Sequence, residues 1–131
     1  MEYRDLVGIP FVDGGRDPAT GLDCWGLVMA AMRKLGKEVP DFKISCWAVR
    51  DIDGAYSIAV RDFDKAEVPE EGVIVAMAND PEAPEAVQHF GVCIGDGRFL
   101  HAMEKIKSCA PRLDHPFWKN KIVAYYRWIG Q

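Results

Sequence analysis

Residues 88–103, QHFGVCIGDGRFLHAM, hold two runs of mostly apolar residues on either side of Gly95-Asp96-Gly97. That is the pattern of an antiparallel hairpin with turn chemistry at its tip. Each arm carries a histidine, His89 and His101, and the length of the turn decides whether they meet. With a two-residue turn at Asp96-Gly97, His101 lies opposite Val92 and the two rings point to opposite faces, because strand side chains alternate with a period of two. With a three-residue loop, Gly95-Asp96-Gly97, His101 lies opposite Gly91 and shares a face with His89. The sequence favours the second register. Gly97 suits the left-handed position of such a loop, and Gly91 has no side chain to obstruct the His101 ring. One face then carries His89, Cys93 and His101, and the other carries Phe90, Val92, Ile94, Leu100 and Ala102.

Working outward, residues 73–78 (VIVAMA) read as a buried strand and 122–128 (IVAYYRW) as a last strand. Residues 79–87 read as an acidic, proline-bearing loop, and the acidic stretch around Glu82 and Glu85 as solvated. Residues 104–121 read as a further loop, with prolines at 111 and 116 and a loop histidine at His115. Towards the N-terminus, residues 22–35 (LDCWGLVMAAMRKL) read as a helix. Asp23 is its cap, Arg33 and Lys34 suit its negative end, and Gly36 terminates it. This helix is apolar almost all round and is expected to be central. Residues 8–21 hold four glycines and two prolines and read as a loop. Residues 37–71 yield no clear assignment. The layout is α+β, a central N-terminal helix packed on an antiparallel sheet.

A length of 131 residues fits one domain, 1–131, able to bury a core without disulfides or metal. The net charge of −4 argues against nucleic acid as a partner, which needs clustered Lys and Arg. Glu2, Arg4 and Asp5 stand where an apolar leader would begin, so no signal peptide is expected. No apolar run is long enough for a transmembrane segment. Cys24, Cys46, Cys93 and Cys109 contain no C-x-x-C pair and read as free thiols of a reducing compartment.

Cys24 falls at the expected helix start, where outward N–H groups and the positive end of the macrodipole favour thiolate over thiol. The competing reading is a small core residue, as most free cysteines are. A thiol nucleophile needs an adjacent base, and that base needs a polar partner to hold its tautomer. His89 as base and His101 as orienting group meet that need, and no cofactor is required. A Cys/His/His zinc centre is the chemical rival. Cys46, Cys93 and Cys109 show no paired base in the sequence.

GIPFVDGGRDPATGLDCWGLV, residues 8–28, resembles the nucleophile segment of NlpC/p60 cysteine peptidases, and HFGVCIGDGRFLHA, residues 89–102, resembles their histidine segment. EEGVIVAM, residues 70–77, resembles the strand between them. The resemblance implies a papain-like NlpC/p60 fold and hydrolysis of amide bonds in peptidoglycan stem peptides. Carried over position by position, it makes Cys24 the nucleophile, His89 the base and His101 the third polar residue. It also implies that Asp23 helps bind the free amino end of the substrate, beside Trp25 and Phe11. Two positions depart from the pattern. Trp25 stands where the family has Ser, and D-C-W-G-L-V looks like the phage-tail-associated branch, which implies other phage tail proteins as partners and incorporation into a tail. Phe11 stands where relatives often have Tyr, removing a hydroxyl near the oxyanion. Trp25 also fits a plain core stripe with Met29 and Met32. A tail assembly protein with little activity is the alternative these two departures favour.

Overall fold

A computed structural model describes residues 2–41, 63–82 and 86–130. Cys46 and Glu85 lie outside the described residues. A two-stranded ribbon, β1 (Arg16–Asp17) and β2 (Gly21–Leu22), precedes helix α1 (Cys24–Lys34). Then come β3 (Phe63–Ala66), β4 (Ile74–Met77), β5 (His89–Gly95), β6 (Arg98–Met103), β7 (Ile106–Cys109), the short helix α2 (Pro116–Lys119) and β8 (Ile122–Trp128). Strands β3 to β8 form one antiparallel sheet in the order β3-β8-β4-β5-β6-β7. This is the α+β, papain-like arrangement of an N-terminal helix on an antiparallel sheet.

Helix α1 begins where its cap allows. The Asp23 carboxylate accepts the Gly26 N–H at 2.7 Å, satisfying one of the donors left open at a helix start. From there Leu27, Val28, Ala31 and Met32 are fully buried. They pack on the sheet face made by Ile74, Ala76, Phe90, Val92, Leu100 and Ala102. Each such large apolar side chain contributes roughly 1.5–3 kcal/mol by leaving water. The opposite face carries Val73, Val75, Met77, Cys93 and Phe99 and is covered by Leu113 and Trp118. Being covered on both faces explains why β4 reads as an unbroken apolar run.

The hairpin has the register that places the histidines together, by a different device from the one expected. Gly91 pairs with His101, Val92 with Leu100 and Cys93 with Phe99, after which Gly95 pairs with Arg98. The turn is therefore the two-residue Asp96-Gly97, with φ of 55° and 73°, as a tight hairpin turn matched to strand twist requires. A bulge at Ile94 absorbs the odd residue and restores the phase. The three-residue loop is thus corrected, while Gly97 at positive φ and Gly91 opposite His101 stand.

The expected loop over 104–121 is also corrected, since it contains β7 and α2. β7 is a short edge strand with Lys107 exposed, and such edges carry little apolar alternation. α2 is four residues long, too short for a periodic signal. Its start is nonetheless built to rule: Pro116 opens it, and His115 Nδ1 accepts the Phe117 N–H at 3.1 Å.

Candidate active site

His89 is the first residue of β5 and His101 lies in the middle of β6. Because Gly91 is the residue opposite His101, the two rings are diagonal neighbours on one face. His89 Nε2 and His101 Nδ1 are 2.8 Å apart, and the rings meet edge to face. The pair is buried, with exposures of 4% and 0%. Trp118 closes over His101 edge-on at 4.4 Å between ring centroids, and Phe99 lies along it at 5.0 Å. The Trp118 contact comes from α2, the element the sequence did not reveal.

On the far side of His101, its Nε2 faces Cys109 Sγ at 3.4 Å. The contact follows from β7, where Cys109 is the cross-strand partner of His101. The expectation that Cys109 lacks a histidine partner is therefore wrong, and the unassigned β7 is the reason. Cys109, His101 and His89 form a continuous thiol–imidazole–imidazole line consistent with a cysteine-peptidase triad. A metal centre would need the two ring nitrogens to converge on a common point, whereas here they are engaged with each other. Among the described residues no group of three or more His, Cys, Asp or Glu is arranged to hold a metal ion.

Burial pushes His101 down to about 4. Burial, with His101 as a second cause, holds His89 well below the usual histidine range. Both rings are neutral at pH 7, each with one proton to place. The unfolded chain binds protons on these groups at higher pH than the folded chain does, so stability rises with pH in this window. It is fully present above the unfolded value near 6.5 and is lost as pH falls towards 4. The expected loss from His101 alone is about 3 kcal/mol by pH 4. Urea denaturation from pH 7 to pH 4 checks this, and His101→Asn should flatten the slope. A wild-type stability that does not change over that range would contradict it.

Cys24 opens α1 and is 3% exposed. The body of α1 packs on the sheet face away from the histidines. Its first turn nevertheless sits over the start of β5, since Trp25 meets Phe90 edge-on at 5.1 Å, and Phe90 follows His89 directly. Trp25 is 4% exposed, and its indole N–H donates to the Pro40 carbonyl at 2.7 Å. Met29 and Met32 are buried with it, as the core stripe requires. Phe11 bridges Leu22 and packs partly buried against the main core.

Asp23 is fully buried and heavily engaged. Besides the Gly26 N–H, its carboxylate accepts from the Gly14 N–H at 3.2 Å and from Arg16 Nη1 at 2.6 Å. Arg16 also reaches Asp41 at 2.8 Å. The sequence reading did not single out Arg16, whose guanidinium holds the buried Asp23 carboxylate. Cys93 is sealed in the second cluster, where burial raises its thiol to about 12 and keeps it protonated.

Residues 8–127 match the NlpC/P60 family. The chain is 28% identical over 128 residues to the gamma-DL-glutamyl hydrolase of Bacillus subtilis strain 168, covering 97% of this chain and 28% of that protein. It is 28% identical over 123 residues to the probable endopeptidase YafL of Escherichia coli K12, covering 92% of this chain and 45% of that one. The chain thus spans less than half the length of either curated relative. Among solved structures, an NLP/P60-family protein from Staphylococcus aureus Mu50 superposes with a TM-score of 0.67 at 23% identity, over 96% of this chain and 38% of that one.

Proposed function

Because the chain belongs to the NlpC/P60 family, we propose that it is a cysteine peptidase hydrolysing amide bonds in peptidoglycan stem peptides, with residues 1–131 as its catalytic domain. The observation that carries the reading is the buried 2.8 Å pair of His89 and His101, which gives a thiol its base and the base its orienting partner. Two curated relatives support it by their names, a glutamyl hydrolase and a probable endopeptidase.

In this reading the Cys24 thiolate attacks the amide carbonyl, and the positive end of α1 favours the charged sulfur. His89 takes up the thiol proton, delivers it to the leaving amine, and then activates the water that releases the thioester. The Cys24 N–H at the helix start is one donor to the oxyanion. Asp23, Trp25 and Phe11 belong to the substrate side on the family resemblance. The same resemblance, at Asp23-Cys24-Trp25-Gly26-Leu27-Val28, underlies the proposal that the protein, made in the bacterial cytoplasm as the free thiols and the charged residues near its start lead one to expect, joins a phage tail.

One observation favours a second assignment within the same chemistry. Cys109 Sγ lies 3.4 Å from His101 Nε2, which would make Cys109 the nucleophile, His101 the base and His89 the orienter. Against it, Cys109 lies at the end of an edge strand, and burial raises its thiol, which lowers the thiolate fraction. Purified peptidoglycan digested with wild type, Cys24→Ala and Cys109→Ala, with fragments read by mass spectrometry, separates the two. Peptide release should vanish in Cys24→Ala and persist in Cys109→Ala. It should also survive EDTA and be lost to iodoacetamide. Loss to EDTA together with stoichiometric zinc would turn the site into a metal centre.

A further inference from the structure

The histidine pair is symmetric as a set of atoms, and the chemistry requires that it not be. A neutral imidazole carries one proton, on Nδ1 or on Nε2. His89 spends Nε2 on His101 Nδ1, so only its Nδ1 remains to act as base, and that nitrogen must be bare. The His89 proton must then sit on Nε2 and point at His101 Nδ1. His101 must in turn carry its proton on Nε2, and that N–H points at Cys109 Sγ, 3.4 Å away. The opposite arrangement reverses every bond. If the Cys109 S–H donates to His101 Nε2, His101 donates from Nδ1 to His89 Nε2, and His89 is left with its proton on Nδ1 and no basic nitrogen to offer.

We propose that Cys109 is a positioning residue whose sulfur accepts the His101 Nε2–H and so fixes the ring tautomer that leaves His89 Nδ1 free as the base. The proposal rests on the reading in which Cys24 is the nucleophile and His89 its base. The surroundings support it. His101 is fully buried between Phe99 and Trp118, so water is excluded from most of the ring and the sulfur is the acceptor at Nε2. A buried N–H without an acceptor is costly, so without the Cys109 sulfur the tautomer that frees His89 Nδ1 would leave the His101 Nε2–H unpaired. The same bond lets the line polarise as His89 gains a proton during attack.

The test compares wild type, Cys109→Ala and Cys109→Ser, each labelled with ¹⁵N-histidine. The ring nitrogen shifts report which nitrogen is protonated. The rate at which iodoacetamide alkylates Cys24, read on the Cys24 peptide by mass spectrometry across pH, reports whether His89 Nδ1 can take its proton. In the wild type, His101 should be protonated at Nε2 and His89 bare at Nδ1. Cys109→Ala should show both tautomers in both rings and alkylate Cys24 about tenfold more slowly at pH 7, the size of effect one neutral hydrogen bond carries. Cys109→Ser, whose hydroxyl can also accept, should restore most of the rate. A wild type with His101 protonated at Nδ1, or a Cys109→Ala variant with unchanged tautomers and an unchanged alkylation profile, would overturn the proposal. An inert Cys24 beside a rapidly alkylated Cys109 would overturn the underlying reading too, by moving the nucleophile to Cys109, a pattern that the tautomer failure alone does not produce.

Discussion

Cys24→Ala and His89→Ala are each expected to bring turnover of peptidoglycan peptides down to background, a loss of at least about a thousandfold, and the double variant should be no worse than either single one. As the proposed nucleophile and base, the two would act as a unit, so removing one idles the other and their effects should not add. His101→Ala behaves differently. Its ring touches His89, so in the proposed reading its removal leaves the base present but free to rotate, and weak activity should persist. Initial rates of fragment release for the four variants beside wild type check the pattern. A His89→Ala variant with wild-type rates would sink the assignment, and multiplicative losses in the double variant would show that the two residues do not share a step.

The parts of the fold legible in the sequence are those with a period or a punctuation mark. α1 has a cap at Asp23 and an apolar surface, β4 and β8 are apolar runs, and the hairpin is marked by Asp96-Gly97. Each forms within a residue or two of its expected span. β3, with the sequence FDKA, alternates too weakly to be seen, and β7 and α2 are too short. Those last two matter most to chemistry. β7 puts Cys109 beside His101 and α2 puts Trp118 over it, so the sequence showed two members of the histidine line but not what encloses them. Trp25 carries the opposite lesson. The phage-tail expectation rests on its sequence context alone, whereas its burial against Phe90 and its bond to the Pro40 carbonyl already give a core reason for a tryptophan. No membrane-spanning helix is found among the described residues.

Gly91 is where fold and chemistry constrain one position together. A Cβ built on it would lie 2.6 Å from the Leu100 carbonyl oxygen, 2.9 Å from Phe99 Cδ2 and 3.3 Å from His101 Cβ. The nearest obstacle is backbone, which cannot swing aside as a side-chain tip can. Gly91→Ala must therefore part β5 from β6 at the step between the two histidines. Overpacking of this kind costs about 1–3 kcal/mol of stability. The rate suffers more, because displacing a base by about 1 Å costs roughly 100-fold, and the 2.8 Å His89–His101 contact is what the parting strands stretch. Gly91→Val should be worse on both counts. Gly95→Ala is the control: its Cβ would meet nothing within 4 Å, but its φ of 88° strains any side chain, at a cost of about 1–2 kcal/mol. It lies at the tip of the same hairpin, away from the histidines, so it lowers stability and leaves the rate near wild type. Thermal midpoints set beside turnover numbers separate the two glycines. If Gly91→Ala and Gly95→Ala lose activity only in proportion to stability, Gly91 serves packing alone. If Gly91→Ala keeps full turnover, the diagonal seating of His101 against His89 is not what makes His89 a base.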